Sequence, residues 1–231
     1  MALEIKGVIV PNDDQEIYEI FGYSTTSPNN VRSALADAKG EPLDVEISTC
    51  YGGDIDAGSE IYSILKAYKG GIQIHITGLA ASAASVIAMA GPSEMAPTAR
   101  MLVHNVSTIA GGNYHDMDHS SEMLQQADKS LAAAYIAKSG MSEKDALAMM
   151  DKETYLTAQQ AVDLKLVDKV MFAAEPPQLA AGFGLLPRAV IEKMRAILAK
   201  QKQGEKPDKG DPPEPDGQKD KEKTLLMIDL I

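Results

Sequence analysis

The first 170 residues alternate between short segments typical of strands and longer segments typical of helices. Residues 43–49 alternate apolar and polar side chains, residues 55–68 carry apolar side chains at helical spacing, and residues 72–77 again resemble a strand. A helix that reaches Ala90 and a strand at 100–104 continue this order. Because strands separated by helices form crossover units around a largely parallel sheet, the sequence predicts an α/β fold.

The segments on either side of this central region are less regular. Residues 5–10 and 16–23 are predicted as two strands, separated by a Pro-Asn-Asp-Asp turn. A helix is predicted to begin at Pro28, with Ser27 as its cap. A long helical pattern covers about 116–139. We therefore expect one long helix to follow the last of the parallel strands.

The charge and the cysteine content limit the possible partners and the location. The formal net charge of −11 argues against nucleic acid as a partner, because a phosphate-binding surface needs clustered Lys and Arg. No run of about 18 apolar residues exists, so no membrane contact is expected. Cys50 is the only cysteine, which excludes an internal disulfide and fits a reducing compartment. Since no signal peptide is recognisable, a cytoplasmic location is predicted.

Changes in composition divide the chain into three predicted parts. Residues 1–175 form the predicted α/β domain. Residues 176–202 are predicted as a linker and an amphipathic helix that begins at Pro187. Residues 203–231 are predicted to be disordered, because they are mainly charged residues, Pro, Gly and Gln, which bury too little apolar surface to offset their ordering entropy. The tail ends in an apolar segment, for which docking and fraying both remain open.

Two hydroxyls in a run of very small side chains mark a candidate nucleophile. Residues 78–85 read Gly-Leu-Ala-Ala-Ser-Ala-Ala-Ser, directly after the strand-like residues 72–77. At a strand-to-helix junction, small neighbours leave room for an acyl group, and the first N–H groups of the helix point toward a developing oxyanion. Ser82 is therefore a candidate nucleophile. The competing interpretation is a tightly packed helix face.

A serine hydroxyl needs a base, and His104 is the best placed of the four histidines. It follows the strand-like residues 100–103, and catalytic groups of parallel α/β sheets usually lie at the carboxyl ends of strands. Asp151 and Glu153, just before another strand-like segment, are candidate acids that could orient the imidazole. The alternatives are a histidine satisfied by a backbone carbonyl and two solvated carboxylates.

Several short motifs together resemble the proteolytic subunit of the Clp protease family. They occur in the family's order and with compatible spacing over about residues 45–170. The motifs are Gly52-Gly53, the glycine-to-serine segment 78–82, Met101-Leu102-Val103-His104, and the block 155–168 downstream of the acidic residues. The resemblance implies a spiral of βαβ units, a fold that crotonases share, with a protruding handle made of a strand and a long helix.

The resemblance also implies roles for individual residues. Ser82 is the implied nucleophile of a serine endopeptidase, and His104 is its implied general base. The backbone N–H groups of Gly53 and Ala83 form the implied oxyanion hole. A glycine at 53 lets the backbone approach a tetrahedral intermediate closely, because it has no Cβ.

The chain departs from the family at several positions. Glu153 stands where the family most often has Asp, and the nearby Asp151 remains the alternative acid. Asn105-Val106 replaces the usual Gln-Pro after the histidine, and Cys50-Tyr51 replaces a small residue and a proline before the glycine pair. We expect these changes to alter the substrate groove more than the chemistry.

The resemblance further implies protein or peptide substrates and a homo-oligomeric ring. Gly111-Gly112 and the long helix after it are similar to the family's handle, by which subunits of opposing rings interlock, although an ordinary core-facing helix has the same apolar spacing. The segment that contacts an ATP-driven unfoldase is not recognisable, so that partner stays open. The short N-terminal part and the charged tail favour the bacteriophage branch, which is associated with head maturation and cleaves capsid or scaffold proteins.

The inferred reaction needs neither a cofactor nor a metal, and two other functions remain open. Crotonase-type enzymes on the same fold hold a thioester enolate with two backbone N–H groups, although such an enzyme has little use for Ser82 and His104. A catalytically inactive ring or scaffold protein is the second alternative.

Overall fold

The computed structural model describes residues 2–173 and five single residues of the C-terminal part. The five are helical and are Ile191, Glu192, Met194, Arg195 and Leu198. By its internal contacts the chain divides into two compact units, residues 1–175 and residues 176–231. The predicted tail at 203–231 and most of the predicted linker and helix lie outside the described residues. The division into three parts therefore stays a prediction.

Strands and helices alternate through the described part of the chain. Its strands are Ala2–Ile9 (β1), Thr25–Thr26 (β2), Leu43–Gly53 (β3), Ile72–Ala81 (β4), Ser93–Met95 (β5), Arg100–Val103 (β6), Thr154–Thr157 (β7) and Lys169–Val170 (β8). Its α-helices are Gln15–Ile20 (α1), Pro28–Asp37 (α2), Ile55–Ala67 (α3), Ala83–Ile87 (α4), Tyr114–Ser139 (α5), Glu143–Asp151 (α6) and Ala158–Asp163 (α7). As predicted, α2 begins at Pro28, and Ser27 caps it by accepting a hydrogen bond from the Asn30 N–H.

The strands form one sheet that is parallel except between β6 and β7. The order along its main path is β2-β1-β3-β4-β5-β8, and all neighbours in this path are parallel. β4 has two partners on one side, because its residues 74–76 pair with β5 and its residues 79–81 pair with β6. β6 then pairs with β7 in the antiparallel direction. The predicted α/β fold with a largely parallel sheet is confirmed.

One face of the sheet is apolar and lies in the core. Buried and more exposed side chains alternate along the first half of β3, where Leu43, Val45 and Ile47 are buried. Ile61 and Leu65 of α3 are buried in the same core cluster. Burial of one such side chain contributes about 1.5–3 kcal/mol relative to leaving it in water. This packing fixes the strands from whose ends the candidate site residues project.

The prediction of a strand at 16–23 is wrong, because α1 covers most of that segment. The N–H of Tyr18 donates to the Asp14 carbonyl at 3.1 Å, and that of Phe21 donates to the Ile17 carbonyl at 3.3 Å. The strand that pairs with this side of β1 is β2, at Val8 and Ile9, and not residues 16–23. Local helical hydrogen bonds satisfy the backbone instead.

The long helix of the implied handle is present, whereas its strand is not. α5 has 26 residues and ends at Gly140, which adopts the left-handed conformation. Residues 104–113, before α5, contain no strand among the described residues. An extended segment forms a strand only where a neighbour pairs with its backbone, and none does so in this part of the chain. Neither α5 nor any other described helix combines the length and the apolar character needed to cross a membrane.

The other face of the sheet carries a row of charged side chains across four strands. His75 of β4 lies in this row, with Nδ1 2.8 Å from Glu94 of β5 and Nε2 3.2 Å from Asp44 of β3. Lys169 of β8 binds the second oxygen of Glu94 at 2.8 Å, and Glu46 of β3 lies beside His75 in the register. Burial by itself lowers the pKa of His75, but the hydrogen bonds and charges of Asp44 and Glu94 outweigh burial and raise this pKa above its ordinary value.

The imidazole of His75 is therefore predicted to stabilise the sheet only while it is protonated. Because folding raises its pKa, its contribution is complete below the unfolded-state pKa of about 6.5 and is lost as the pH rises through the folded-state pKa. We expect His75→Gln to lower the free energy of unfolding by about 0.5–1 kcal/mol more near pH 6 than near pH 8.5. Urea titrations of both proteins at the two pH values measure this difference. An equal or larger effect at the higher pH contradicts the prediction.

Candidate active site

Ser82 occupies a strained turn between β4 and α4. Its φ of 56° and ψ of −126° are unusual for any residue except glycine, and such a conformation costs about 1–3 kcal/mol. The Ser82 N–H donates to the Leu102 carbonyl at 3.0 Å, and the Ser82 carbonyl accepts the N–H of Ser85 at 2.9 Å. The side chain of Ser82 does not cap α4. The turn therefore leaves this hydroxyl free for chemistry while the backbone around it is held.

His104 lies beside Ser82 because of the register between β4 and β6. Ala81 is paired with Leu102, so the residues that follow these two strands leave the sheet at the same edge. Ser82, His104 and Gly53 together line a small cavity of about 60 Å³. Within the described residues neither the Ser82 hydroxyl nor the His104 ring has a hydrogen-bond partner. Hydrogen bonds between catalytic groups are often long without substrate and shorten when it binds.

The segment after His104 is held from two sides. The Asn105 side-chain N–H donates to Asp151 at 2.9 Å, at the C-terminus of α6. The Val106 N–H donates to Asp128 of α5 at 2.6 Å, and this carboxylate is only 9% exposed. Sequence reasoning gave Asp128 no role, because nothing in its spacing links it to the histidine. These two contacts hold the backbone directly after His104 in place.

The two candidate acids take different positions. β6 and β7 are antiparallel and their last pair is Val103 with Thr154, so His104 and Glu153 are the residues next to this end of the ladder. Glu153 has a φ of 48°, a second strained position beside the site. Asp151 instead accepts the hydrogen bond from Asn105. Both carboxylates are exposed, and the cavity wall includes neither of them. Glu153 therefore borders the end of β7 next to His104, whereas Asp151 is bound to Asn105.

A pair of glycines lets the end of β3 approach Ser82. A Cβ on Gly52 would lie 2.5 Å from the Ser82 Cβ, and the φ of Gly52 is +83°. A Cβ on Gly53 would lie 2.2 Å from the Ile9 carbonyl oxygen, at a φ of +146°. Only glycine fits at these two positions. The backbone of Gly53 thus forms part of the cavity wall next to the hydroxyl.

The free N–H group nearest to Ser82 along the chain belongs to Ala83. The N–H of Ser82 itself donates to the Leu102 carbonyl. Ala83 is the first residue of α4, and the first N–H groups of a helix have no partner within that helix. Cys50 does not compete as a nucleophile, since it is fully buried and burial raises the pKa of its thiol to about 11. The arrangement can therefore present one hydroxyl, one imidazole and nearby N–H donors to a carbonyl group.

Two further residues near the site were missed by sequence reasoning. The Ser85 hydroxyl donates to the Ser82 carbonyl at 2.6 Å and lies 2.7 Å from the Tyr135 hydroxyl. Tyr135 also lines the cavity. Ser85 was visible in the sequence as the second hydroxyl of its segment, but no local signal connects it with a tyrosine 50 residues later.

Comparison with known proteins finds similarity to Clp proteases. The family model described as Clp protease matches residues 34–174. The ATP-dependent Clp protease proteolytic subunit 1 of Chlamydia abortus is 29% identical over 140 residues, which are 58% of this chain and 72% of that protein. The subunit of the same name from Chlamydia trachomatis is 29% identical over 141 residues, with the same coverage. A mutant of ClpP1 from Listeria monocytogenes has the same fold, with a TM-score of 0.59 at 18% identity over 74% of this chain and 90% of that one.

The contact between Gly52 and Ser82 predicts a site-specific effect of an added methyl group. Gly71 is a matched control, because it also has a φ of +83° but has open space where its Cβ would lie. We expect Gly71→Ala to lower the free energy of unfolding by about 1–2 kcal/mol through backbone strain alone. Gly52→Ala should lower it by about 1–3 kcal/mol more, because the turn at Ser82 must move. Denaturant titrations compare the two variants, and equal effects contradict the close packing described here.

Proposed function

Because this chain belongs to the Clp protease family, we propose that it is a serine endopeptidase in which Ser82 is the nucleophile and His104 the general base. Glu153 orients the imidazole in this proposal, with Asp151 as the alternative acid. The N–H groups of Gly53 and Ala83 form the oxyanion hole. The observation that carries the proposal is the cavity shared by Ser82, His104 and Gly53, next to a serine in a strained strand-to-helix turn.

The proposed reaction has two steps. His104 takes the proton of the Ser82 hydroxyl as its oxygen attacks the peptide carbonyl, and the resulting oxyanion accepts hydrogen bonds from the two backbone N–H groups. The imidazolium then gives its proton to the leaving nitrogen, the C–N bond breaks, and an acyl-enzyme remains. In the second step, His104 takes a proton from water as the water oxygen attacks the acyl carbon. The bond from that carbon to the Ser82 oxygen then breaks, and the imidazolium returns its proton to this oxygen, which releases the carboxylic acid and restores the hydroxyl.

The carboxylate has a physical role in this scheme. A negative charge beside the imidazole stabilises the imidazolium that forms in each step and selects the productive tautomer. The antiparallel register between β6 and β7 supports Glu153 for this role, while the hydrogen bond from Asn105 assigns Asp151 to holding the segment after His104. A reaction on a CoA thioester enolate uses neither the hydroxyl nor the imidazole, so this site favours peptide hydrolysis.

Several broader features belong to the same proposal. The substrates are proteins or peptides, and the subunits assemble into a homo-oligomeric ring with α5 as part of the handle. A role in bacteriophage head maturation rests on the charged composition of residues 203–231. The need for an ATP-driven unfoldase stays open. A cytoplasmic location rests on Cys50, a free and buried cysteine.

The first test addresses the nucleophile and the base. A fluorophosphonate probe should label the wild-type protein, and Ser82→Ala should abolish labelling. Ser82→Ala and His104→Ala should each lower peptide hydrolysis by about 10³-fold or more, because members of a triad act as a unit. Ser107→Ala, which removes another hydroxyl from the same cavity wall, should keep both labelling and hydrolysis.

Two outcomes contradict the proposal. Folded wild-type protein that no concentration of probe labels would assign the chain to a structural role in a ring or scaffold. Near-normal hydrolysis by His104→Ala would place the base elsewhere.

A second test separates the two acids. Glu153→Gln keeps the size of the side chain and removes its charge, so we expect kcat to fall by about 100-fold or more. Asp151→Asn keeps an oxygen that can accept the hydrogen bond from Asn105, and it should change kcat by less than about 10-fold. Steady-state kinetics on a fluorogenic peptide measure both variants. The reverse order of effects would make Asp151 the catalytic acid.

A further inference from the structure

Two buried hydroxyls form a chain of hydrogen bonds that ends on the nucleophile's carbonyl. The Ser85 hydroxyl, which is completely buried, donates to the Ser82 carbonyl at 2.6 Å. The Tyr135 hydroxyl lies 2.7 Å from the Ser85 oxygen. Because Ser85 has only one hydroxyl hydrogen and uses it on Ser82, Tyr135 must donate to Ser85. The order of donation is therefore Tyr135 to Ser85 to the Ser82 carbonyl.

The Tyr135 hydroxyl has no other evident purpose in the core. Tyr135 belongs to α5 and is only 2% exposed. Burial raises the pKa of Tyr135 to about 12, although its hydrogen bond with Ser85 acts in the opposite direction, so the phenol stays protonated at neutral pH. A buried hydroxyl is unfavourable unless it is hydrogen-bonded, and a phenylalanine would fill the same space without that requirement. Compared with phenylalanine, the tyrosine adds only the hydrogen bond with Ser85.

The chain of hydroxyls acts on the peptide group that joins Ser82 to Ala83. In a planar trans peptide the C=O and the N–H point in opposite directions, so holding one of them fixes the other. The Ser82 backbone is strained at φ 56° and ψ −126°, and a rotation of this peptide group would relieve strain. Such a rotation would turn the Ala83 N–H away from its present direction. The Ser85 hydroxyl opposes this rotation, together with the N–H groups of Ser85 and Val86, which donate to the same carbonyl at 2.9 and 3.4 Å.

We propose that Ser85 and Tyr135 are positioning residues that hold the Ala83 N–H in the oxyanion hole. This inference rests on the proposed function, in which that N–H binds the developing negative charge. The two hydroxyls act through the Ser82–Ala83 peptide group, since their hydrogen bonds lead to the Ser82 carbonyl. The two residues therefore stabilise the transition state more than the bound substrate, because the oxyanion forms only in the transition state.

The same helix also holds the segment that follows the base. Asp128 of α5 accepts the Val106 N–H, two residues after His104. Asp128 and Tyr135 are seven residues apart, which places them on one face of α5, two turns from each other. One helix face thus holds both the turn of the nucleophile and the segment of the base. The relative position of Ser82 and His104 depends on α5.

The test uses the full chain and removes one oxygen atom. Tyr135→Phe should lower kcat about 10-fold and leave KM unchanged, since a misplaced donor loses part of the effect of about 10²–10³-fold seen when an oxyanion donor is removed. A peptide boronic acid, which forms a tetrahedral adduct with the nucleophile, should bind more weakly by the same factor. The same peptide without the boronic acid should bind equally well to both proteins. Tyr68→Phe is the matched control, because it removes a phenol that donates to the Glu41 carbonyl at the same distance of 2.7 Å.

A second variant tests whether Tyr135 acts through Ser85. Ser85→Ala should lower kcat by more than Tyr135→Phe, and the double variant should be no worse than Ser85→Ala alone. Ser63→Ala is its control, since it removes a serine hydroxyl that donates to a backbone carbonyl elsewhere. If Ser85→Ala does not fold, the Tyr135→Phe measurements decide the question on their own.

Three results overturn the inference, and they are distinguishable from one another. Unchanged kcat in Tyr135→Phe, while Ser82→Ala is inactive, leaves the proposed function intact and removes the positioning role. Equal weakening of the boronic acid and the plain peptide indicates a general structural effect. Wild-type protein without hydrolysis that depends on Ser82 removes the proposed function, and the positioning role with it.

Discussion

The turn at Ser82 is the element on which the rest of the site depends. It places a non-glycine residue at a φ of 56°, which the chain adopts only because its surroundings hold it there. The Leu102 carbonyl binds its N–H, the Ser85 hydroxyl binds its carbonyl, and the missing Cβ of Gly52 leaves room for its side chain. Each of these contacts comes from a different segment, so the strain at one residue is offset by three elements of the fold.

The parallel sheet brings those segments together. β3, β4 and β6 run in the same direction, so Gly53, Ser82 and His104 leave the sheet at one edge. β7 runs in the opposite direction, and its beginning, directly after Glu153, therefore lies at the same edge. The candidate residues, which come from distant parts of the sequence, thus lie at one edge of the sheet without any long loop. The sheet topology therefore makes the candidate site compact.

Some of this could be predicted from the sequence, and the reasons are local. Ser82 and His104 each follow a clear strand pattern, so their positions at strand ends could be inferred from their neighbours alone. The strand predicted at 16–23 is wrong because short apolar runs fit a helix or a strand equally well, and here the backbone forms local helical hydrogen bonds. The contacts of Tyr135 and Asp128 depend on how α5 packs, which no spacing within α5 encodes. Sequence patterns thus indicated the candidate residues at the strand ends but not the residues whose side chains hold them in place.

The hydrogen-bond partners of α5 explain why a long helix is useful beside this site. The proposed hydrolysis would need the nucleophile, the base and the oxyanion donors to be positioned to within a fraction of an ångström, and strands alone fix only their own ends. Tyr135 ties α5 to the turn of Ser82, and Asp128 ties it to the segment after His104. The two segments also touch one another directly, through the N–H of Ser82 and the carbonyl of Leu102. A shift of α5 would therefore strain this direct contact or move both segments together, so the position of the helix and the geometry of the site are linked.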